Sequence, residues 1–152
     1  TGRPISWMGK AEAMRWPVVG WFLRMNGVFG VRRGAADLEA FRLAERVLSD
    51  GRILGIYPEG TRSRDGRLRP FRDGAALLAL RSGVPVHPVA VSGTDGLWRK
   101  GALLPRRVPR VTLTIGPQVV LPVASGQRPN LAAVSAAMHD AVAALLPASN
   151  RP

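Results

Sequence analysis

The apolar residues of this chain fall into short continuous runs and into longer segments where they recur every three or four residues. The runs Ile5–Met8, Val28–Val31 and Ile53–Ile56 predict strands, and continuous apolar runs are typical of the inside of a parallel sheet. Segment 11–27 is amphipathic and predicts a helix, which we expect Pro17 to break or kink because proline cannot donate the helical hydrogen bond.

The segment that follows the second strand predicts a further helix that ends near Gly51. Its inward face is predicted to carry four apolar residues, Leu38, Phe41, Val47 and Leu48. After a long polar loop, Asp73 has the chemistry of an N-cap for a helix that closes at Gly83.

The run Val84–Val91 then predicts another buried strand, so that strand, loop, helix and strand together predict a right-handed βαβ unit. In the segment 110–116, Val111, Leu113 and Ile115 alternate with threonines, which predicts a half-exposed strand. Asn130 is a candidate cap for a last helix whose inward residues are Leu131, Val134, Met138, Val142 and Leu145. The predicted fold is a single α/β domain, 1–152, with one mixed and largely parallel sheet flanked by helices.

Net charge narrows the range of partners. There are 22 basic against 10 acidic residues, a net charge of +12, so we expect anionic partners such as acidic lipid, phosphorylated metabolites or nucleic acid. All the basic residues except Lys10 and Lys100 are arginine, a bias that codon composition also produces, so their positions carry more information than their number. The chain has no cysteine, which excludes disulfides, thiolate metal sites and a cysteine nucleophile.

The stretch "YPEGTRSRDGRLRPFRD" (57–73) places a Pro-Glu-Gly turn and then several arginines directly after a predicted strand. Gly60 lets backbone amides approach an anion, Arg62 offers a planar fork for a phosphate, and Glu59 is placed to orient that fork. Ligands of parallel sheets bind beyond the carboxyl ends of the strands, where this turn lies. An ordinary turn held by a Glu59–Arg62 ion pair is the alternative. Neither glycine pattern of nucleotide-binding loops is present.

The block "YPEGTRS" closely resembles the Phe-Pro-Glu-Gly-Thr-Arg-Ser block of the glycerolipid acyltransferases, the lysophosphatidic acid acyltransferase family. The segments "MGKAEAMRWPVVGWFLRMNGVFGVRRG" and "FRDGAALLALRSGVPVHPVAV" resemble the family's neighbouring blocks in the same order. The likeness covers about 5–93. It implies a peripheral enzyme on the cytoplasmic face of the cell membrane. Such an enzyme moves a fatty acyl group from acyl-CoA or acyl carrier protein to the hydroxyl of a lysophosphatidic acid-like acceptor, with no other cofactor and no metal.

The resemblance also implies where the acceptor phosphate binds. It assigns Glu59, Gly60, Thr61 and Arg62 to that phosphate, together with an arginine at the end of the second predicted strand. The family often has Asp before this arginine, whereas here Arg32 precedes Arg33, so both are candidates. Lys10 matches a further basic position near the cleft.

The family's catalytic pair, His-x-x-x-x-Asp, is not found in these 152 residues. Ser92 lies five positions after His87, and Ala144 lies five after His139, so we expect both histidines to be structural. In the family the pair precedes the segment that matches 5–8. We therefore expect it before Thr1, in a longer protein of which this chain is a part that is nearly inactive alone.

Two segments have compositions suited to a membrane surface. "MRWPVVGWFLRM" (14–25) mixes aromatic and basic residues, although a helix packed on the core is equally consistent with it. The connector 96–110 carries basic residues that would meet anionic headgroups or form a solvated loop: Arg99, Lys100, Arg106, Arg107 and Arg110. A non-catalytic anionic-lipid-binding module is the alternative to the enzyme. A nucleic-acid binder rests on charge alone, so we expect none.

Overall fold

The computed structural model describes residues 2, 4–31, 38–61, 63, 65–94, 110–123 and 128–152, without the side chains of Lys10 and Val31. In chain order its elements are β1 (Ile5–Lys10), a 3-10 helix (Ala11–Arg15), α1 (Pro17–Met25), β2 (Val28–Val31), α2 (Leu38–Ser49), β3 (Ile53–Gly55), α3 (Asp73–Ser82), β4 (Val89–Ser92), β5 (Thr112–Ile115), α4 (Leu131–Leu145) and a second 3-10 helix (Ala148–Asn150).

The first three strands form a parallel sheet in the order β2-β1-β3, with helices around it, which confirms the predicted α/β class. Lys10 at the end of β1 is in register with Val31 at the end of β2, and Ile5 is in register with Ile53 of β3. Because the strands are parallel, all three carboxyl ends lie at the same edge. The turn that follows β3 is therefore on the side where ligands bind in such sheets.

The expectation of one continuous sheet was wrong for the described residues. β4 does not extend the parallel sheet but pairs antiparallel with β5, so no β3-α3-β4 unit of adjacent strands forms. The run from Val84 also forms a shorter strand than predicted, because Pro85 and Pro88 have no amide hydrogen to donate to a ladder. Before β4, isolated bonds replace the ladder: Gly116 donates to the Pro88 carbonyl at 2.9 Å, and Val119 to Val86 at 2.8 Å.

Helix ends largely follow the predicted signals. Pro17 is the first residue of α1 and separates it from the 3-10 helix before it, as expected. Gly83 ends α3 with φ +64°, and the side chain of Asn130 accepts hydrogen bonds from the first amides of α4. The prediction for Asp73 was wrong by one position. Arg72 is the N-cap, and the Asp73 carboxylate instead accepts a hydrogen bond from the distant Ser135.

The core lies where α3 packs against α2 and α4, and where α4 covers one face of β4. Its buried apolar residues include Ala40, Ala44, Val47, Ala76, Leu78, Ala79, Ala90 and Val134. Small residues dominate this list, so the helices approach one another closely. Leu38 was predicted to face inward, but it is exposed at the first position of α2.

Several large apolar side chains remain exposed. Leu113 and Ile115 lie on the outer face of β5, so the predicted half-exposed strand is present but with its apolar side outward. A second exposed group lies on α1. None of the helices in the described part of the chain combines the length and apolar composition that crossing a bilayer requires.

Candidate anion-binding site

Trp7 and Gly55 fix the end of β3. These two residues are in register across β1 and β3, and the indole of Trp7 lies flat over Gly55. A methyl group added at Gly55 would lie 2.3 Å from the indole carbon Cε3, so only glycine fits beneath the ring. The same indole stacks on Tyr57, with 5.7 Å between ring centroids and 23° between planes. The aromatic pair therefore holds the chain just before the Pro-Glu-Gly turn.

The turn itself is closed by two backbone hydrogen bonds. The amide of Gly60 donates to the Tyr57 carbonyl at 3.0 Å, and the amide of Arg72 donates to the Pro58 carbonyl at 2.9 Å. Gly60 has φ +69°, in the left-handed region that glycine adopts most readily. The predicted turn at the carboxyl end of β3 is thus present.

Arg72 lies directly beside this turn, a placement that the sequence did not single out. A Cβ atom built on Gly60 would be 2.8 Å from Nε of Arg72 and 3.3 Å from its Cζ. The guanidinium is therefore against the backbone of Gly60, while Arg72 as a whole is exposed to solvent. A guanidinium next to a glycine turn is a suitable arrangement for binding a phosphate.

Glu59 turns toward the protein and binds the loop that follows. Its Oε2 atom accepts a hydrogen bond from the backbone amide of Arg69 at 3.1 Å. Burial raises the pKa of the Glu59 carboxyl above its ordinary value of 4.5. The hydrogen bond from Arg69, and then the electrostatic interactions with Arg69 and His139, oppose that rise of the Glu59 pKa. The structure thus gives Glu59 a role in shaping the loop.

The loop has its own internal support at Asp65. The Asp65 carboxylate accepts hydrogen bonds from the Ser63 hydroxyl at 2.8 Å and from the Arg67 amide at 3.1 Å. The bond from Ser63, followed by the one from Arg67, lowers the pKa of Asp65 below its ordinary value of 3.8. Such an Asp-centred turn fixes the direction in which the chain leaves the site.

The C-terminal 3-10 helix secures the same loop from outside. Asn150 donates from Nδ2 to the Gly66 carbonyl at 2.9 Å, and its own carbonyl accepts from the Leu68 amide at 3.0 Å. These two bonds join Asn150 to the loop on either side of Arg67. We call this pair of bonds the C-terminal clamp. Residues at the end of the chain therefore position a loop that the sequence places 84 residues earlier.

Helix α4 makes two further contacts with this region. The Ser135 hydroxyl donates to the Asp73 carboxylate at 2.9 Å, linking α4 to the start of α3. The ring of His139 meets Phe71 edge-on, with 5.1 Å between centroids. The structure thus uses His139 for packing, in agreement with the structural role predicted for it.

The predicted site residues divide into two groups. Glu59, Gly60 and Thr61 are together at the turn, with Thr61 exposed. Arg62, Arg32, Arg33 and the side chain of Lys10 lie outside the described part of the structure, so the phosphate contacts predicted for them, and the alternative Glu59–Arg62 ion pair, stay predictions. In the backbone, Lys10 ends β1 opposite Val31.

His87 was the other histidine expected to be structural. Its Nδ1 atom is 3.3 Å from the Gly116 carbonyl, beside the irregular pairing that precedes β4. No cluster of three or more acidic and histidine side chains that could hold a metal ion occurs among the described residues.

An apolar cavity of about 320 Å³ lies elsewhere, between the C-terminal end of α3 and segment 118–123. Its lining includes Ala79, Gly83 and Val86. The length of α3 separates it from the turn, because the turn meets the N-terminal end of that helix. The cavity is therefore separate from the candidate anion-binding site.

A family model described as "Acyltransferase" matches residues 1–92, which include the parallel sheet, the turn and α3. The chain belongs to this acyltransferase family. The family resemblance carried by the block 57–63 is thereby confirmed.

Individual relatives agree with this assignment. The chain is 39% identical over 111 residues to a 1-acyl-sn-glycerol-3-phosphate acyltransferase of Limnanthes douglasii, covering 70% of this chain and 40% of the relative. It is 42% identical over 91 residues to a lyso-ornithine lipid O-acyltransferase of Pseudomonas aeruginosa, covering 59% and 35%.

Among solved structures, the chain resembles the 1-acyl-sn-glycerophosphate acyltransferase PlsC of Thermotoga maritima, with a TM-score of 0.65 and 29% identity. The alignment covers 92% of this chain and 56% of that protein. The chain thus spans about 40% of the Limnanthes relative and just over half of the Thermotoga protein.

Proposed function

We propose that this chain is the acceptor-binding part of an acyltransferase that moves a fatty acyl group onto the hydroxyl of a lysophosphatidic acid-like glycerol phosphate. The observation that carries this proposal is the family match together with the glycine turn at the carboxyl end of β3. The names of the relatives favour an enzyme over the non-catalytic lipid-binding module.

In the proposed reaction the acceptor hydroxyl oxygen attacks the carbonyl carbon of an acyl thioester. The new C–O ester bond forms as the C–S bond breaks, and the thiolate of coenzyme A or of acyl carrier protein leaves. The proposal assigns the hydroxyl proton to a His-x-x-x-x-Asp pair upstream of Thr1, which the family resemblance implies. The coding sequence before Thr1 tests that assignment directly.

The residues of this chain hold the other end of the acceptor. In the proposal the phosphate lies against the turn, where the absence of a side chain at Gly60 lets the guanidinium of Arg72 lie against the backbone. Arg62, Thr61 and one of the two arginines after β2 complete the phosphate contacts, with Lys10 nearby. Binding at that end fixes the position of the hydroxyl relative to the thioester, which lowers the entropic part of the barrier.

The proposed surroundings are an anionic membrane surface, on the cytoplasmic face of the cell membrane, since both the acceptor and the product are lipids. The net charge of +12 supports this partner, because the bilayer and the acceptor headgroup are both anionic.

Acyl transfer by the natural full-length protein tests the proposal, with lysophosphatidic acid as acceptor and acyl-CoA or acyl carrier protein as donor. Arg62→Ala is expected to raise the acceptor KM by at least about tenfold, since one charge-assisted hydrogen bond contributes about 1.5–3 kcal/mol. Arg52→Ala is the matched control: it removes the same charge from an exposed residue before β3, at the opposite edge of the sheet. An unchanged KM for Arg62→Ala would remove that residue from the site.

A second candidate acceptor is a lyso-ornithine lipid, which the 42% identity to the Pseudomonas enzyme favours. Its headgroup offers an amino-acid carboxylate in place of a phosphate. Direct competition between the two acceptors in one assay decides which is preferred.

A further inference from the structure

Helix α1 presents an apolar face to solvent. Four of its apolar residues occupy positions i, i+3, i+4 and i+7, so their side chains lie along one side of the helix. They are Val18, Trp21, Phe22 and Met25. All four are exposed, and so is Trp16 immediately before the helix. We call these five residues the α1 face. Apolar stripes at this spacing normally face the core, so an exposed one is informative.

The opposite side of α1 is fixed to the protein. Gly20 is buried, and a Cβ atom built there would lie 2.2 Å from the Met14 carbonyl oxygen of the preceding 3-10 helix. Arg24 also donates from Nη1 to the same carbonyl, at 3.3 Å. The helix therefore cannot roll to bury its apolar face without losing these contacts, and the α1 face keeps its outward direction.

The charged residues within α1 and directly before it are basic, and the nearest acidic residue in the sequence is Glu12 on the preceding 3-10 helix. From position 13 to position 36 the sequence contains four arginines and no acidic residue. Two of them, Arg15 and Arg24, are exposed and flank the helix. An apolar aromatic face with a basic border matches an anionic lipid surface, where aromatic rings lie at the headgroup level and guanidinium groups meet phosphates.

We propose that the α1 face docks this protein on an anionic phospholipid bilayer, with the helix lying in the plane of the interface. In that orientation only the apolar side chains of the nine-residue helix enter the bilayer, so it enters one leaflet only. The proposal rests on the proposed function for its purpose, since a lipid acceptor must be reached in the membrane.

The arrangement of the chain supports this assignment. Only the 3-10 helix separates α1 from β1, and α1 leads directly into β2. The carboxyl ends of β1 and β2 lie at the same edge of the sheet as the glycine turn. A helix inserted in the interface is thus joined by short connections to the sheet that carries the site.

Vesicle sedimentation with the natural full-length protein tests the proposal, using phosphatidylcholine vesicles with and without phosphatidylglycerol. The test variant is Trp21→Gln/Phe22→Gln, because glutamine preserves helix propensity. The control is Leu113→Thr/Ile115→Thr, which removes two apolar side chains of similar exposure (60% and 66%, against 58% and 59%) from β5. Circular dichroism and thermal unfolding check that both variants fold.

The α1 variant is expected to bind phosphatidylglycerol vesicles at least about tenfold more weakly than the parent, and the β5 variant to bind like the parent. The parent is expected to prefer anionic over neutral vesicles by about fivefold for each basic residue near the surface. Equal losses in the two variants, or no loss in either, would overturn the proposal. So would a dimer in solution that protects Trp21 without any binding to vesicles.

Tryptophan fluorescence gives a second readout at single residues. A variant whose sole tryptophan is Trp21 is expected to show a blue shift with vesicles and quenching by lipids brominated on the acyl chain. A variant whose sole tryptophan is Trp7, which stacks on Tyr57, with phenylalanine at the other positions so that the α1 face stays apolar, is the matched control and is expected to show neither. Quenching of Trp7 with none at Trp21 would overturn the proposal.

Vesicle binding requires no turnover, so the two proposals fail separately. A full-length protein that binds vesicles through the α1 face but transfers no acyl group would overturn only the proposed function. If the full-length protein transfers acyl groups but its affinity for vesicles is unchanged by the α1 substitutions, only this inference would be overturned.

Discussion

The carboxylate of Glu59 accepts a hydrogen bond from the backbone amide of Arg69, with 3.1 Å between Oε2 and N. The bond closes a loop between residues ten positions apart and engages one oxygen of the acidic side chain with the backbone. The contact therefore organises the loop that follows the turn.

The raised pKa of Glu59 gives a first prediction. A carboxyl whose pKa is higher in the folded state than its ordinary 4.5 contributes stability that is full below that ordinary value. This contribution is lost as the pH rises through the folded-state pKa. Glu59→Gln keeps an oxygen that can accept the hydrogen bond from Arg69, but its side chain cannot ionise. The unfolding free energy of this variant is therefore expected to increase relative to that of the parent as the pH rises through that range.

Urea unfolding at a series of pH values measures this gain. Glu59→Ala is the control, because it removes both the charge and the acceptor and is expected to be less stable than Glu59→Gln at every pH. Parallel pH profiles for the parent and Glu59→Gln would contradict the prediction.

The second prediction concerns Arg72, whose guanidinium lies against Gly60. In the full-length enzyme Arg72→Ala is expected to raise the acceptor KM by about 10- to 100-fold, the equivalent of one charge-assisted hydrogen bond of about 1.5–3 kcal/mol. Arg72→Lys keeps the charge without the planar fork and is expected to recover part of the loss. A KM effect no larger than that of the control Arg52→Ala would exclude Arg72 from acceptor binding.

Local signals predicted the elements of the site but not their contacts. An apolar run followed by Pro-Glu-Gly was sufficient to predict β3 and its turn, and Pro17, Gly83 and Asn130 marked helix ends correctly. Arg72 was missed because its contact with Gly60 depends on the path of the loop between them, which no local pattern encodes. Asn150 was missed for the same reason, at greater distance.

The placement of β4 shows a different limit. The run 84–91 looks like one buried strand when only hydrophobicity is counted, yet two prolines interrupt its hydrogen bonding and β5 takes the remaining ladder. Which strand pairs with which is decided by tertiary contacts, so the predicted adjacency of β3 and β4 could not be read from the run itself.

A third prediction tests the close packing of Trp7 on Gly55. Gly55→Ala places a methyl group where the indole lies, so the unfolding free energy is expected to fall by about 1–3 kcal/mol. Gly74→Ala is the matched control. It adds the same methyl group in α3, where nothing lies within 4 Å, and is expected to be neutral or to stabilise by up to about 1 kcal/mol. Equal effects of the two substitutions on urea unfolding would contradict the packing argument.

The fourth prediction concerns the C-terminal clamp. Asn150→Ala removes the side-chain bond to the Gly66 carbonyl and leaves the Leu68 amide bonded to a main-chain oxygen. The loop is expected to open more often, so trypsin should cleave after Arg67 several-fold faster, while overall stability falls by about 1 kcal/mol.

Limited proteolysis followed by mass spectrometry identifies the cleavage site. Ser149→Ala is the control, because it removes only an exposed hydroxyl that donates to the Asn150 side chain, and its cleavage rate is expected to match that of the parent. Faster cleavage at sites outside the loop would indicate general unfolding and contradict the role of the clamp.

The clamp also bears on the order in which the protein acquires its structure during synthesis. The ribosome releases residues 57–73 long before Asn150, yet Asn150 supplies two of the bonds that hold this loop. Contacts between positions so far apart in sequence form late, because the intervening chain must first be confined. The nascent chain is therefore expected to assemble its parallel strands early and to complete the arginine loop only after Asn150 emerges.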